Sequence, residues 1–290
     1  MAAHTDQAGG ICDATGVTGN GHVGHVGHVR HVGHVGQAAE AAEAAEVRAA
    51  RRLLADARCV LFDFDGPICR LFPEGRSRRI ADALRDTTDG FGAGDVLTAE
   101  ERADKDPHAV LRAVHRAGRD RELPGLLEAL EERTAAGEVA ATPTAWPTPD
   151  ADLLIGVLAE RRTRMAVVTN NSPLAAEAYL ARRGLLRHFA AVEGRTADPG
   201  RMKPAPDVVF RALRRLDLRP EDAVMIGDTG ADVGAAEQAG VSFVGYGRNP
   251  EKRERLRAAG ATVVLGSYAP LVPELRRAGT DGPGSRLEGA

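Results

Sequence analysis

A chain of 290 residues with 43% hydrophobic residues has room for one large domain, or for a core domain with a smaller companion. Its formal net charge of -3 excludes the strongly basic surface that binds nucleic acids or anionic membranes, and no apolar run reaches the roughly 20 residues that span a bilayer. We therefore expect neither a nucleic-acid nor a membrane partner. Three scattered cysteines and the absence of a secretory signal pattern predict a cytoplasmic protein.

The N-terminal 37 residues form a low-complexity segment in which histidine, valine and glycine recur. Five histidines stand at every third position from 22 to 34. Glycine at this density disfavours a helix, so we predict a disordered tail over 1–37. Alanine, glutamate, arginine and leucine dominate 38–57 and predict a leading helix there, while 279–290 is predicted to be a flexible tail.

From residue 58 onward, short apolar runs alternate with helical patterns. The runs predict strands at 58–62, 164–169, 189–193, 223–227, 241–245 and 261–265. The patterns between and after them predict helices at 151–162, 173–184, 205–216, 231–239, 250–259 and 268–277. Alternation of this kind indicates an α/β fold, a doubly wound parallel sheet with helices on both faces.

One stretch, 74–148, interrupts this alternation. It carries helical patterns at 78–86, 106–117 and 124–137 without a comparable strand signal, and a proline-rich linker at 141–150 follows them. We therefore predict that 74–148 is a small helical cap domain. It would be inserted into a core domain formed by 58–73 and 149–278.

Polar side chains follow the predicted strands, at the edge where parallel sheets bind ligands. Asp63 and Asp65 come directly after the first strand, and on an extended segment both carboxylates point the same way. Such a pair holds a hard cation, or divides into one ionised and one protonated acid. Thr169 and Asn170 precede a helix, whose N-terminus favours an anion such as phosphate. Taken singly, an ordinary turn explains the acid pair equally well, and helix capping explains the second motif better than anion binding does.

Two further motifs add a cation and two more acids. Lys203, one of three lysines in the chain, opens the helix at 205–216, where it would supply a compact positive charge. Asp228 follows the strand at 223–227, and Asp232 lies four residues further, in the next helix. A solvated lysine and a helix cap explain these motifs individually. The coincidence of all four motifs at strand ends favours a site.

Together, Asp63-Phe64-Asp65-Gly66, Thr169-Asn170, Lys203-Pro204 and Gly227-Asp228-Thr229 with Asp232 resemble the four motifs of the haloacid dehalogenase-like hydrolase superfamily. The resemblance covers about 58–265 and is highly specific as a set. The helical insertion resembles the C1-capped branch, which contains the phosphoglycolate phosphatase-like enzymes. The resemblance thus implies a Rossmann-like core and a hydrolase acting on a small phosphomonoester.

The resemblance also implies a role for each motif residue. Asp63 would be the nucleophile that forms an aspartyl-phosphate, and Asp65 the acid that protonates the leaving alcohol and later activates water. The expected cofactor is Mg²⁺, held by Asp63, the backbone carbonyl of Asp65 and Asp228, with Asp232 as a further ligand or an orienting residue. The phosphoryl oxygens would be bound by Thr169, the Asn170 backbone and Lys203.

Three functions remain open at this point. The first is a magnesium-dependent phosphatase; the presence of Asp65 favours phosphate chemistry over dehalogenation, since a halide leaving group needs no proton. The second is a phosphomutase or phosphotransferase, which would share all four motifs. The third is a catalytically silent binding protein, against which the intact acids argue. A second anionic group of the substrate could be bound by Arg70, Arg76, Arg78 and Arg79, although a solvated basic surface explains each of them individually.

Overall fold

The computed structural model describes residues 30–280, so most of the predicted tails at 1–37 and 279–290 lies outside the described residues. Helix α1 spans Arg30–Asp56 and thus begins before the predicted start at residue 38. Its alanine- and glutamate-rich stretch supplies a helix nucleus. Once a helix has formed there, each further hydrogen bond requires only one more residue to be ordered. The helix can therefore extend through Gly33 and Gly36.

Six parallel strands form the main sheet, and the α/β doubly wound fold is confirmed. Strand β1 (Cys59–Phe62) lies in its centre, buried along its whole length as expected when both faces of a sheet are covered. Leu61 of β1 pairs with Ala166 on one side and Met225 on the other. The full spatial order is β5 (Ala191–Glu193), β4 (Arg164–Val168), β1, β6 (Ala223–Gly227), β7 (Ser242–Tyr246) and β8 (Val264–Leu265).

Alternate side chains of β1 pack against the two layers of helices. The helices of the core are α6 (Ala151–Glu160), α7 (Pro173–Arg182), α8 (Asp207–Leu216), α9 (Gly230–Ala239), α10 (Pro250–Ala258) and α11 (Leu271–Thr280). Val60 and Phe62 belong to one buried cluster with α1, α6, α7 and α11, and Cys59 and Leu61 to another with α8 and α9.

The insertion between β1 and α6 is mainly helical. Its helices are α2 (Ser77–Gly90), α3 (Ala99–Ala103), α4 (Pro107–Ala117) and α5 (Leu126–Ala141). They share one buried cluster, to which Leu84, Leu111 and Leu130 contribute and which Met202 of the core joins. Helix α3 was not predicted, although the capping box of Thr98 and Glu101 marks its start. On this cluster we base the proposal that 74–148 is a cap domain.

A two-stranded ribbon joins the two ends of the insertion. Strand β2 (Cys69–Arg70) pairs antiparallel with β3 (Trp146–Pro147), which places Arg70 opposite Trp146. The sequence contained no strand signal there, because two-residue strands are too short to show a period and proline is unusual within a sheet. The predicted linker at 141–150 therefore contains a short strand.

Helix α1 contacts the outer edge of the sheet at β8. Glu46 accepts a hydrogen bond from the backbone N–H of Val264 at 2.9 Å and pairs with Arg257 at 3.0 Å. Within 30–280, no helix combines the length and the apolar character that crossing a bilayer demands.

Candidate active site

The predicted acids and the threonine meet at the carboxyl edge of the three central strands. Asp63 follows β1, Thr169 follows β4 and Asp228 follows β6, and the pairing of these strands brings the three residues side by side. The backbone N–H of Asp63 still donates to Ile226 of β6 at 2.9 Å. All three side chains are buried. They thus lie on a rigid part of the fold, as a precisely positioned site requires.

Lys203 lies at the centre of this group and is 3% exposed. Its Nζ donates to Asp63 Oδ1 at 2.8 Å, to Asp232 Oδ1 at 2.6 Å and to the carbonyl of Val168 at 2.9 Å. An ammonium has three donors, and all three are used. Burial alone would lower the pKa of Lys203, but the carboxylates of Asp232 and Asp63 outweigh it and raise the pKa. The lysine therefore remains charged.

Burial raises the pKa values of both acids in the first motif. For Asp63 the value rises to about 6, with the Lys203 charge opposing the change and Asp232 adding to it. The pKa of Asp65 is also raised by burial, opposed chiefly by the hydrogen bond that its Oδ1 accepts from the Leu71 N–H at 2.9 Å. Asp65 makes no hydrogen bond to Lys203, so the two acids differ in their partners, although burial raises the pKa of both.

Three of the four predicted metal ligands bring their carboxylates together. Asp63, Asp228 and Asp232 each offer an oxygen within 4.8 Å of the others. Asp228 Oδ1 is buried without a hydrogen-bond partner in the described part of the chain, whereas its Oδ2 contacts Lys252 Nζ. A buried carboxylate oxygen without a partner is costly unless a cation occupies the position beside it. The donor set therefore fits Mg²⁺.

Asp232 differs from the other acids because hydrogen bonds occupy both of its oxygens. Oδ1 accepts from Lys203, while Oδ2 accepts from the backbone N–H groups of Asp228 and Thr229 and from the Thr229 hydroxyl. Of the two roles predicted for it, this pattern favours orienting Lys203 and the Asp228 loop. The Asp65 carboxylate lies outside the three-acid cluster. The predicted contact between the metal and the backbone carbonyl of Asp65 is a separate matter and remains a prediction.

The loop of Thr169 and Asn170 is tied to the segment that carries Lys203. The Asn170 side chain donates to the Lys203 carbonyl at 3.1 Å and accepts from the Lys203 N–H at 2.7 Å. The Thr169 hydroxyl donates to Asn171 Oδ1 at 3.1 Å. The Asn170 side chain is therefore engaged in positioning Lys203, which leaves the Asn170 backbone N–H for the predicted anion contact.

Sequence reasoning missed a buried carboxylate that supports this loop from the insertion. Glu138 of α5 is fully buried and accepts hydrogen bonds from Asn171 Nδ2 at 3.0 Å and the Ser172 N–H at 2.7 Å. Arg195 Nη1 donates to Glu138 at 2.9 Å and to the Asn170 carbonyl at 2.7 Å, and His108 Nε2 lies 3.1 Å from the same carboxylate. A glutamate in the buried i, i+4 row of α5 was the available signal.

The pKa of Glu138 reflects these partners. Burial alone would raise it, but His108 and Arg195 outweigh burial and lower the pKa to about 2. Glu138 is therefore ionised at neutral pH, and the adjacent Arg195 guanidinium balances its charge. The second missed residue is Lys252, whose contact with Asp228 was not predictable because α10 lies beyond the last motif.

Two cavities reach the acids and share part of their lining. The first, of about 590 Å³, is lined by Asp63, Thr169 and Lys203 from the core and by residues 104–108 from the insertion. The second has a similar volume of about 590 Å³ and is lined by Asp228, Lys252 and the β2–β3 ribbon. Volumes of this size hold a small metabolite. Three residues line both cavities: Asp65, Phe72 and Thr229.

Comparison with known proteins places this arrangement in a family. A family model described as haloacid dehalogenase-like hydrolase matches residues 57–240. The chain is 30% identical over 227 residues to the protein named tyrosine-protein kinase PtkA of Mycobacterium tuberculosis, which covers 76% of this chain and 71% of that protein. It is 35% identical over 127 residues to phosphoglycolate phosphatase of Rhodospirillum rubrum, covering 42% of this chain and 50% of that protein.

A solved structure shows the same fold. The crystal structure of CbbY from Rhodobacter sphaeroides in complex with phosphate has a TM-score of 0.53 and 25% sequence identity. The alignment covers 74% of this chain and 96% of that protein.

Proposed function

This chain belongs to the haloacid dehalogenase-like hydrolase family, and on that basis we propose that it is a magnesium-dependent phosphatase of small phosphomonoesters acting through Asp63. The family and the phosphoglycolate phosphatase-like branch expected from the motifs are confirmed. The observation that carries the proposal is the buried junction of Asp63, Lys203 and Asp232, with an unpartnered oxygen of Asp228 beside it. If these residues formed only a structural ion pair, the buried Asp228 oxygen without a hydrogen-bond partner would have no explanation.

Asp63 is suited to attack phosphorus because it is held but not neutralised by protonation. Lys203 occupies its Oδ1, which leaves Oδ2 for the incoming phosphoryl group. Attack by the carboxylate forms the aspartyl-phosphate and expels the alcohol. The phosphoryl oxygens would then be bound by Lys203, Thr169 and the Asn170 N–H, with Lys203 Nζ and the Thr169 hydroxyl exchanging hydrogen bonds that they make here to Asp63, Asp232 and Asn171.

Asp65 is suited to donate the proton that the leaving alcohol needs. It follows Asp63 by two residues and lines the first cavity, and a carboxyl group there donates a hydrogen bond when it is protonated. Its hydrogen bond from Leu71 holds the side chain at the wall shared by the two cavities. After the alcohol leaves, the Asp65 carboxylate takes a proton from the water that hydrolyses the intermediate.

Asp63, Asp228 and the backbone carbonyl of Asp65 would hold Mg²⁺, which when bound offsets the repulsion between an anionic nucleophile and an anionic substrate. The substrate enters the first cavity, whose outer wall comes from 104–108 of the insertion. We therefore propose that this segment selects the organic part of the substrate, while the core residues bind its phosphate.

Release of inorganic phosphate from a panel of phosphomonoesters tests the proposal. We expect turnover that requires Mg²⁺ and that Asp63→Asn reduces about a thousandfold or more, because the amide is not a nucleophile. Glu237→Gln, which makes a similar change at an acid outside the first cavity, is the matched control. Absence of turnover on every ester, in wild type and variant alike, would overturn the hydrolytic function.

A second candidate is phosphoryl transfer to a protein tyrosine. It is favoured by one observation, the 30% identity to the kinase PtkA over most of both chains. Incubation with ATP labelled on the γ-phosphate and a tyrosine-containing peptide tests it. Labelled phosphotyrosine that Asp63→Asn abolishes would establish transfer, whereas label found solely in inorganic phosphate would establish hydrolysis.

A further inference from the structure

The second cavity has features that the phosphatase mechanism does not use. Its outer wall contains two arginines, Arg70 and Arg248, neither of which has a carboxylate partner among the residues the structure describes. Lys252 lies further in, where it contacts Asp228. Together with Lys252, these two arginines without acid partners give the cavity positive charge that suits an anionic ligand.

An aromatic surface lies beside these charges. Trp146 is 46% exposed and lines the same cavity. The guanidinium of Arg70 lies 5.0 Å from the centroid of its ring, and the β2–β3 pairing holds the two residues opposite each other. Since the guanidinium covers one face of the indole, a planar ring would stack on the other face, and stacking on tryptophan is tolerant of the identity of the base.

The inner end of the cavity limits where an anion can lie. Asp65 and Asp228 line it, but Lys252 neutralises Asp228 and Asp65 is turned towards the Leu71 N–H. Negative charge is therefore accommodated near Arg70 and Arg248 at the outer wall, next to Trp146. A ligand that fits needs a planar aromatic group and a chain of phosphates.

From this combination we infer that the second cavity binds a nucleoside di- or triphosphate, with the base stacked on Trp146 and the phosphates paired with Arg70 and Arg248. The cavity volume of about 590 Å³ accommodates a ligand of this size. The inference goes beyond the hydrolytic function, because the nucleotide occupies the second cavity, whose lining includes neither Asp63 nor Lys203. Binding is measured without turnover, so its failure is distinguishable from failure of the phosphatase proposal.

Trp146 is the single tryptophan of the chain, and its fluorescence therefore reports on this cavity alone. Titration with ADP and with a non-hydrolysable ATP analogue is expected to quench it in a saturable way. Adenosine and tripolyphosphate, which each supply half of the ligand, are expected to bind at least about tenfold more weakly. Tripolyphosphate binding as tightly as the nucleotides would overturn the nucleotide assignment, and so would the absence of saturable quenching by either nucleotide.

Variants locate the site. Binding of a fluorescently labelled ADP, followed by anisotropy, is expected to weaken about tenfold in Arg248→Ala and in Trp146→Ala. The matched controls are Arg255→Ala, an exposed α10 arginine paired with Glu251 outside the cavity, and Phe91→Ala, an exposed aromatic of the insertion. Both controls should bind as wild type does. Equal affinity of Arg248→Ala and Arg255→Ala would overturn the inference.

Discussion

At the scale of single residues, Lys203 determines both the stability and the chemistry of the site. It is a buried cation with three hydrogen bonds, two of them to carboxylates that lie in the same buried cluster. Without it, Asp63 and Asp232 would be like charges left in a low-dielectric interior. The residue that binds the phosphoryl group is thus also the residue that allows the acids to be buried together.

Lys203→Ala tests this double role. Loss of one partner from a buried ion pair costs about 3–5 kcal/mol, so we expect the free energy of unfolding in urea to fall by about that amount. Phosphatase activity should be lost with it. Lys105→Ala removes an exposed lysine and should change the unfolding free energy by less than about 0.5 kcal/mol. Equal stability of the two variants would contradict this description of Lys203.

Gly66 is constrained by a neighbouring carboxylate. Its φ is +128°, a conformation that side chains rarely adopt, and a Cβ atom there would lie 2.1 Å from Asp228 Oδ2. We therefore expect Gly66→Ala to displace Asp228 and to reduce kcat more than tenfold. Gly75→Ala is the matched control, since its φ is +72° but nothing lies within 4 Å of the added Cβ. The control should lose about 1 kcal/mol of stability and keep its kcat.

At the scale of elements, the insertion does more than cover the site, because α5 holds a loop of the core. Glu138 joins α5 to the loop after β4 through Asn171 and Ser172, and Arg195 joins the same carboxylate to Asn170. The loop that is proposed to bind phosphate is therefore held by residues of the insertion and by residues that follow β5. Any movement of α5 that breaks these bonds would change the position of Thr169.

The stability that Glu138 contributes should depend on pH in a defined direction. Its pKa in the folded protein is about 2, below its ordinary value of 4.5, so the contribution is complete above about pH 4.5 and is lost as the pH falls towards 2. A lowering of that size corresponds to about 3 kcal/mol. The difference in unfolding free energy between wild type and Glu138→Gln should thus be constant near neutrality and shrink below about pH 4.5.

Chemical denaturation at a series of pH values measures this difference. Glu132→Gln, the same change at an exposed position of α5, is the control and should show a small difference at every pH. A difference for Glu138→Gln that stays constant down to about pH 3 would show that its charge does not stabilise the fold.

At the scale of the whole molecule, the sequence predicted the sheet and its functional edge but not the contacts between the two parts. Apolar runs such as that ending at Phe62 identify buried strands, and parallel topology then places Asp63, Thr169 and Asp228 together. Glu138 and Arg195 were missed because they are 57 positions apart and meet solely through tertiary packing. Lys252 was missed for the same reason, and the β2–β3 ribbon because it is too short to show a period.

The contact between helix α1 and strand β8 has a consequence for association between molecules. The last strand of an open sheet presents unpaired N–H groups, which invite a strand from another chain to add. Here Glu46 occupies the N–H of Val264, and its ion pair with Arg257 fixes it there. The leading helix thus blocks the addition of a strand from another molecule at this edge of the sheet. A chain shortened past Glu46 would keep its acids and lysine in place and yet be prone to form aggregates.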